Sequence, residues 1–228
     1  MSLQSIINIS NQLNFNRRKL VGIQYARNEL PRVSETPTYN PWKLTVTAPS
    51  NLRYSEARAI LEKLDQLDRR SPEVVSFNDN PKLSWLLAYQ GELNQFQQGL
   101  ISVVSFVGNQ LVLDVSALSI TSTTVILQPN DFIQIQGYPY PFTSTGTVYR
   151  GTNSTITVTT HRPNIITDPV TNLYLNWGND VEFRVFCPNM PTYTLTPGGA
   201  IISNGTIINN ALIEFSDSFE LYEYVSLA

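Results

Sequence analysis

The chain has 228 residues, 42% hydrophobic and only 14% charged, with a formal net charge of −3. That length holds one large or two small domains with a substantial core. A charged fraction so far below the ~25% of an ordinary domain leaves a surface of Asn, Thr, Ser and Gln, as in β-rich chains that pack against neighbours. A single cysteine, Cys187, excludes a disulfide framework and a cysteine-based metal site and fits a reducing compartment.

No apolar run reaches the ~18 residues of a membrane helix. In MSLQSIINISNQLNFNRRK the charges follow the apolar part, the reverse of a signal peptide. A soluble, unprocessed product is expected. Charge is unevenly spread: residues 1–70 hold 11 basic and 6 acidic groups, residues 71–228 hold 4 and 12. Either local ion pairs absorb this, or the two parts meet within a subunit or between neighbours.

In chain order, residues 17–29 (RRKLVGIQYARNE) and 42–48 (WKLTVTA) read as strands. In the second, Trp42, Leu44 and Val46 alternate with Lys43, Thr45 and Thr47, the period of a sheet with one buried face. The linker between them, LPRVSETPTYNP, carries three prolines and reads as a loop. Residues 53–69 predict one strong helix, with Ala57, Ile60, Leu61, Leu64 and Leu67 on its apolar face. Ser50, Asn51 and Ser55 are candidate caps, Glu56 suits the first turn, and Pro72 stops the helix. Residues 82–98 read as a short helix or as a loop carrying Trp85 into the core.

From residue 99 the pattern is β. Short strands are predicted at 101–106, 110–115, 123–128, 131–136, 146–150 and 154–160, punctuated by Gly108-Asn109, Pro129-Asn130 and Gly151-Thr152-Asn153. Further strands fall at 181–187, 192–196, 210–216 and 218–225, the last two read as a hairpin about Ser216-Asp217. Two strands and a helix cannot bury that helix alone, so the last strands are expected to return to the first sheet. The fold class expected is mainly β with one principal α-helix. Residues 1–95 and 180–228 form a discontinuous domain, and 99–178 an inserted small β-barrel.

The chain has no phosphate loop, GxGxxG, HExxH or CxxC. His161, the only histidine, argues against a His-centred triad or two-His metal site; it reads as a strand-end residue bonded to backbone, with a lone general base as the alternative. Glu214 with Glu220, and Asp131 with Asp180, are the carboxylate pairs a glycosidase would need, against a wet sheet face and an ordinary turn aspartate. Glu214 and Glu220 would lie side by side across the hairpin, facing either outer solvent or the lumen of an assembled ring. Arg17-Arg18-Lys19 reads as a solvated or intersubunit charge cluster rather than a nucleic-acid site. Trp42, Trp85, Tyr138, Tyr140 and Trp177 read as core or interface aromatics, with a sugar-stacking platform of Tyr138, Tyr140 and Trp177 as the alternative. No catalytic, cofactor-binding or metal-ligating residue is assigned.

Three stretches carry a resemblance. RRKLVGIQYARNELPRV with PWKLTVTAPSNLRYSEARAILEKLDQL resembles the opening of distal-tail and baseplate tube-initiator proteins of tailed bacteriophages. LQPNDFIQIQGYPYPFTSTGTVYRGTNSTITVTTHRP resembles their middle insertion, although Asn130 stands where Gly is common before the Asp. NDVEFRVFCPNMPTYTLTPGG and ALIEFSDSFELYEYV resemble their final strands. The resemblance implies a tail-tube-like β-sandwich or barrel. It also implies a structural, non-enzymatic role in the virion after synthesis in the host cytoplasm. The expected assembly is a homohexameric ring joining the tail tube to baseplate or hub proteins, through which DNA passes without specific binding. The residue-level alternative is a virion-associated carbohydrate-binding or polysaccharide-hydrolysing protein. Residues 127–146, with their YPYP, are expected to form one side of the inserted barrel with a rigid, proline-protected edge.

Overall fold

The computed structural model describes residues 2–17, 21–25, 31–35, 40–50, 52–65, 71–198, 200–204, 206–209 and 211–225. Helix α1 (Ser2–Ile9) precedes strands β1 (Gln12–Arg17), β2 (Val21–Tyr25), β3 (Pro31–Glu35), β4 (Trp42–Thr47) and β5 (Leu52–Arg53). Next come α2 (Tyr54–Asp65) and β6 (Glu73–Ser76), a 3-10 turn at Ser84–Leu87, and α3 (Gln95–Gln98). Eight strands follow: β7 (Ser102–Val107), β8 (Gln110–Asp114), β9 (Val125–Leu127), β10 (Phe132–Ile135), β11 (Phe142–Thr143), β12 (Val148–Tyr149), β13 (Thr155–Thr159) and β14 (Leu175–Trp177). A second 3-10 turn, Gly178–Asp180, leads to β15 (Glu182–Phe186), β16 (Tyr193–Thr196), β17 (Ala200–Ser203), β18 (Thr206–Asn209), β19 (Leu212–Phe215) and β20 (Phe219–Glu223).

The chain is mainly β, and its largest sheet is assembled from distant segments in the order β1-β4-β20-β15-β6. The alternation in β4 dictates its burial: Trp42, Leu44 and Val46 are buried while Lys43, Thr45 and Thr47 are half-exposed. β20 does the same with Phe219 and Leu221, and pairs with β4 and β15, neither of which lies in the central segment. On the opposite face Lys43 bonds Glu220, lies 5.3 Å over the Tyr222 ring, and is held above its usual pKa chiefly by that carboxylate.

These strands enclose a terminal core that includes Leu3, Ile6, Ile7, Trp42, Phe77, Phe183 and Phe219. Helix α1, which the sequence reading did not contain, closes this sheet at β6. The Gln4 side-chain amide donates to Ser76 O (2.8 Å) and accepts from Ser76 N (2.9 Å), standing in for another strand. Buried Asn80 caps the end of α1 by donating to the Ile7 and Ser10 carbonyls.

α2 starts directly from β5, so Ser55 lies inside the first turn rather than capping it; Asn51 and residues 66–70 lie outside the described residues. Ala57, Leu61 and Leu64 are buried and Ile60 is half-buried. Leu64→Ala is expected to cost about 2–5 kcal/mol, since it removes packed methyl groups and leaves a cavity. Urea unfolding of the monomer measures this, and a loss below ~0.5 kcal/mol would mean the face is not packed.

A separate central core is built from residues 93–177, with Ile101, Leu113, Ile126, Ile135, Phe142 and Trp177 among its members. Its strands form a β13-β8-β7 sheet, a β11-β10-β14 sheet and a β12-β9 pair. Among the described residues these do not close into a barrel. At its margin Gly178 (φ 57°) is required, because an added Cβ would stand 2.5 Å from Tyr89 N.

Several sequence expectations are corrected. Of the stretch 17–29, Arg17 ends β1 and Val21–Tyr25 form β2, the rest lying outside the described residues, and the proline-bearing linker contains β3, with Pro31 at its first position, where no ladder donor is needed. Trp85 is 66% exposed rather than carried into the core. β19 and β20 are consecutive but not a hairpin: β19 pairs with β16 and β5, and β20 with β4 and β15. The turn at Ser216-Asp217 transfers the chain between sheets, because Phe219 enters the terminal core.

Candidate functional site

The most concentrated polar structure lies where the terminal and central cores meet. Arg162 and Glu223 are both fully buried, and the guanidinium bonds the carboxylate twice, Nη1 to Oε2 at 2.6 Å and Nη2 to Oε1 at 2.7 Å. Arg162 comes from the segment after β13, Glu223 from the end of β20. Part of their remaining capacity is also used, while the buried Arg162 Nε has no hydrogen-bond partner among the described residues. Glu223 Oε2 accepts the Trp42 backbone N–H (2.9 Å), and Arg162 Nη2 donates to Pro141 O (2.9 Å). The Trp42 indole also donates to Pro141 O (3.1 Å), and the guanidinium stacks 5.1 Å from the centre of the Phe142 ring. Two buried charges are tolerated only when paired and hydrogen-bonded in this way.

A second join lies on β10. Buried Gln134 donates to Glu182 O (2.7 Å) and accepts from Glu182 N (3.0 Å), so one amide side chain occupies the edge of β15. Beside it Phe132 leaves the central segment and packs against Phe15, Trp42 and Phe183 of the terminal core. The YPYP segment runs along this seam, with Pro139 O accepting from Arg184 N (3.2 Å) and the Tyr140 hydroxyl bonded by Arg184 Nη1 (3.3 Å). It is an internal joint rather than the rigid outer edge expected from its prolines.

His161 Nδ1 accepts the Thr143 N–H (3.0 Å), the His161 backbone N–H donates to Thr143 O (3.0 Å), and the imidazole ring lies 4.8 Å from that of Trp42. It is a seam residue, bonded to backbone at a strand end. The carboxylate pairs are not brought together. Asp131 accepts from Gln128 N (2.8 Å) and Gln90 N (2.9 Å), and burial raises its pKa above the usual value against the pull of those bonds. Asp180 accepts from Asn78 Nδ2 (3.0 Å) instead. Glu214 lies opposite Thr194, whereas Glu220 lies opposite Thr45 and binds Lys43, so they belong to different sheets.

The aromatic platform is also absent: Tyr140 and Trp177 are buried, and half-buried Tyr138 bonds Asp168 (3.2 Å). Arg18, Lys19 and the side chain of Arg17 lie outside the described residues. No group of three or more metal-ligating side chains occurs among the described residues.

The sequence reading assigned no role to Arg162 or Glu223. The signal was present in Glu223, which shares the face of Phe219 and Leu221: a charge at a core position calls for a buried partner.

Open crevices lie on the outer surface of the described residues. One, about 380 Å³, lies beside Tyr149, Arg150 and Asn153. Another, about 390 Å³, lies between α2 and Tyr193, with Tyr54, Arg58, Leu61, Glu62 and Asp65 on its walls. Neither gathers an acid, a base and a nucleophile. Comparison with protein-family models and with curated protein sequences gives no match.

Proposed function

We propose that the chain is a structural component of a bacteriophage tail, a ring subunit at the junction of tail tube and baseplate. The observation that carries this reading is the seam. Strands from both halves of the chain interleave in one sheet, and the central segment is held to it by a buried, doubly bonded ion pair. The buried polar groups serve architecture. This agrees with the segment order of the distal-tail and tube-initiator proteins that the sequence resembles. In this reading residues 99–178 are an inserted domain, the partners are further copies of the chain and the adjoining tube and baseplate proteins, and DNA passes through the lumen without specific contacts. The cluster Arg17-Arg18-Lys19 joins neighbouring copies through acidic groups of the later segment.

Mass photometry with negative-stain microscopy tests the reading, and closed rings of six copies are expected. Reversing Arg17, Arg18 and Lys19 to Glu is expected to shift assembly toward monomers, and salt is expected to weaken it, because exposed charge pairs are screened beyond ~8–10 Å at physiological ionic strength. A chain that stays monomeric at every concentration and salt would overturn it.

A further inference from the structure

β12 and β13 follow one another in the chain but do not pair: β12 pairs with β9, and β13 with β8. The space between them is closed at both ends. At one end Thr145 donates to Thr159 O from its backbone N (2.9 Å) and its Oγ1 (3.0 Å). At the other, the turn from Arg150 to Ser154 joins the two walls. Between these ends the strands part around the crevice of about 380 Å³.

Along an antiparallel strand, bonded and non-bonded positions alternate. Val115 N donates to Ser154 O and Thr160 N to Asn109 O, so Thr155 and Thr157 turn their peptide groups away from β8. Arg150 N donates to Thr124 O, so Thr147 and Tyr149 turn theirs away from β9. Both walls therefore present peptide donors and acceptors, and among the described residues no ladder crosses the gap.

The side chains add to this. Tyr149 is 54% exposed. Its hydroxyl, the Asn153 amide and the hydroxyls of exposed Thr155 and Thr157 bond no other protein group among the described residues. Arg150 Nη1 donates to Gly151 O (3.3 Å) and Asn153 O (2.6 Å), which fixes the turn, where Gly151 has φ 60°. The buried Arg150 Nε has no hydrogen-bond partner among the described residues. An unsatisfied buried donor is costly, and that edge of a guanidinium suits a carboxylate or a pair of hydroxyl oxygens.

Chemistry narrows the occupant. Because both ends are closed, an added β-strand cannot run between the walls. No carboxylate lines the crevice, so it does not suit a cation. One ring and one guanidinium do not make a nucleic-acid track, and residues 71–228 hold 12 acidic groups against 4 basic ones, a balance that repels phosphate. The fitting ligand is compact, both donates and accepts hydrogen bonds, and offers a flat apolar face to an aromatic ring. A sugar has both properties, with hydroxyls at its rim and C–H groups on its face.

We propose that this crevice is a saccharide-binding site, which takes one or two sugar units with Tyr149 against a ring face and Arg150, Asn153 and Thr157 around the hydroxyl or carboxylate groups. Without a pair of carboxylates at the crevice the sugar is held and not cleaved. The site goes beyond the ring reading and does not rest on it.

The probe is an array of immobilised bacterial-surface oligosaccharides, neutral and carboxylated, with an oligothymidylate alongside. The full chain is expected to be retained by at least one glycan and not by the oligothymidylate. The best-bound glycan, titrated in free form by calorimetry, should bind Tyr149→Ala about tenfold more weakly and Thr157→Val several-fold more weakly. Tyr174→Ala, which changes a tyrosine 53% exposed outside the crevice, should leave Kd unchanged. Thr157→Val keeps a β-branched side chain at an exposed strand position, so it decides the matter should Tyr149→Ala lack a native melting transition. No retained glycan, or a glycan bound equally by wild type and folded Tyr149→Ala, would overturn the site; so would equal binding by Thr157→Val where Tyr149→Ala does not fold. Retention of the oligothymidylate, lost with Tyr149→Ala, would make Tyr149 a nucleobase platform and overturn the saccharide as occupant. Microscopy of the same samples separates this site from the proposed function: rings without glycan binding overturn only the crevice, and a monomer that binds glycan overturns only the ring.

Discussion

Arg162→Met is expected to destabilise the fold by about 3–5 kcal/mol, because it leaves the Glu223 carboxylate buried without its counter-charge. The two side chains are fully inaccessible and bonded twice, with Trp42 N–H and Pro141 O as further partners, so neither partner can turn to water. The informative comparison is the double variant Arg162→Met with Glu223→Gln. Glutamine keeps an oxygen for the Trp42 N–H and carries no charge. The double variant should be more stable than Arg162→Met alone, with a coupling of about 1–3 kcal/mol between the sites. Urea denaturation of the four proteins measures this. Independent, additive losses would show that the pair does not act as a unit.

A loss of similar size is expected from Phe183→Ala, about 3–5 kcal/mol. Phe183 is fully buried and its ring meets those of Phe15, Trp42, Phe77 and Phe132 at centroid distances of 5.8, 6.4, 5.9 and 6.0 Å. Removing it takes away a large apolar area and the edge-to-face contacts of several neighbours at once. Thermal unfolding checks the value, and Phe183→Leu, which refills part of the space, should cost clearly less. Equal losses from Ala and Leu would mean that ring geometry, and not volume, governs this site.

The elements that were legible in the sequence are those whose period is set by one buried face. β4, β13, β15 and β20 alternate, and α2 repeats its leucines at helical spacing. Elements whose stability comes from distant partners were not legible. α1 is an eight-residue helix that needs β6 and Asn80 to satisfy its polar groups. β3 begins with a proline, a residue that local rules assign to loops. The apparent hairpin at Ser216-Asp217 misled because two adjacent strands with a polar turn look alike whether they pair with each other or part. The seam was hidden for a similar reason: Arg162 and Glu223 lie 61 positions apart, and only the out-of-phase charge in β20 hinted at it.

The place of β20 has a consequence for the order of events during synthesis. It is the middle strand of its sheet, between β4 and β15, yet it is the last strand in the chain. The fully buried members of the central core all lie within residues 93–177, so that part can collapse while the ribosome is still extending the polypeptide. The five-stranded sheet cannot close until residue 223 has emerged. Until then β4 and β15 expose edges and apolar faces, and non-local pairing of this kind is slow and prone to aggregation. Helix α1 can shield β6 once that strand has emerged, and β1 can pair with one edge of β4, but the other edge of β4 must wait for a partner about 175 residues downstream.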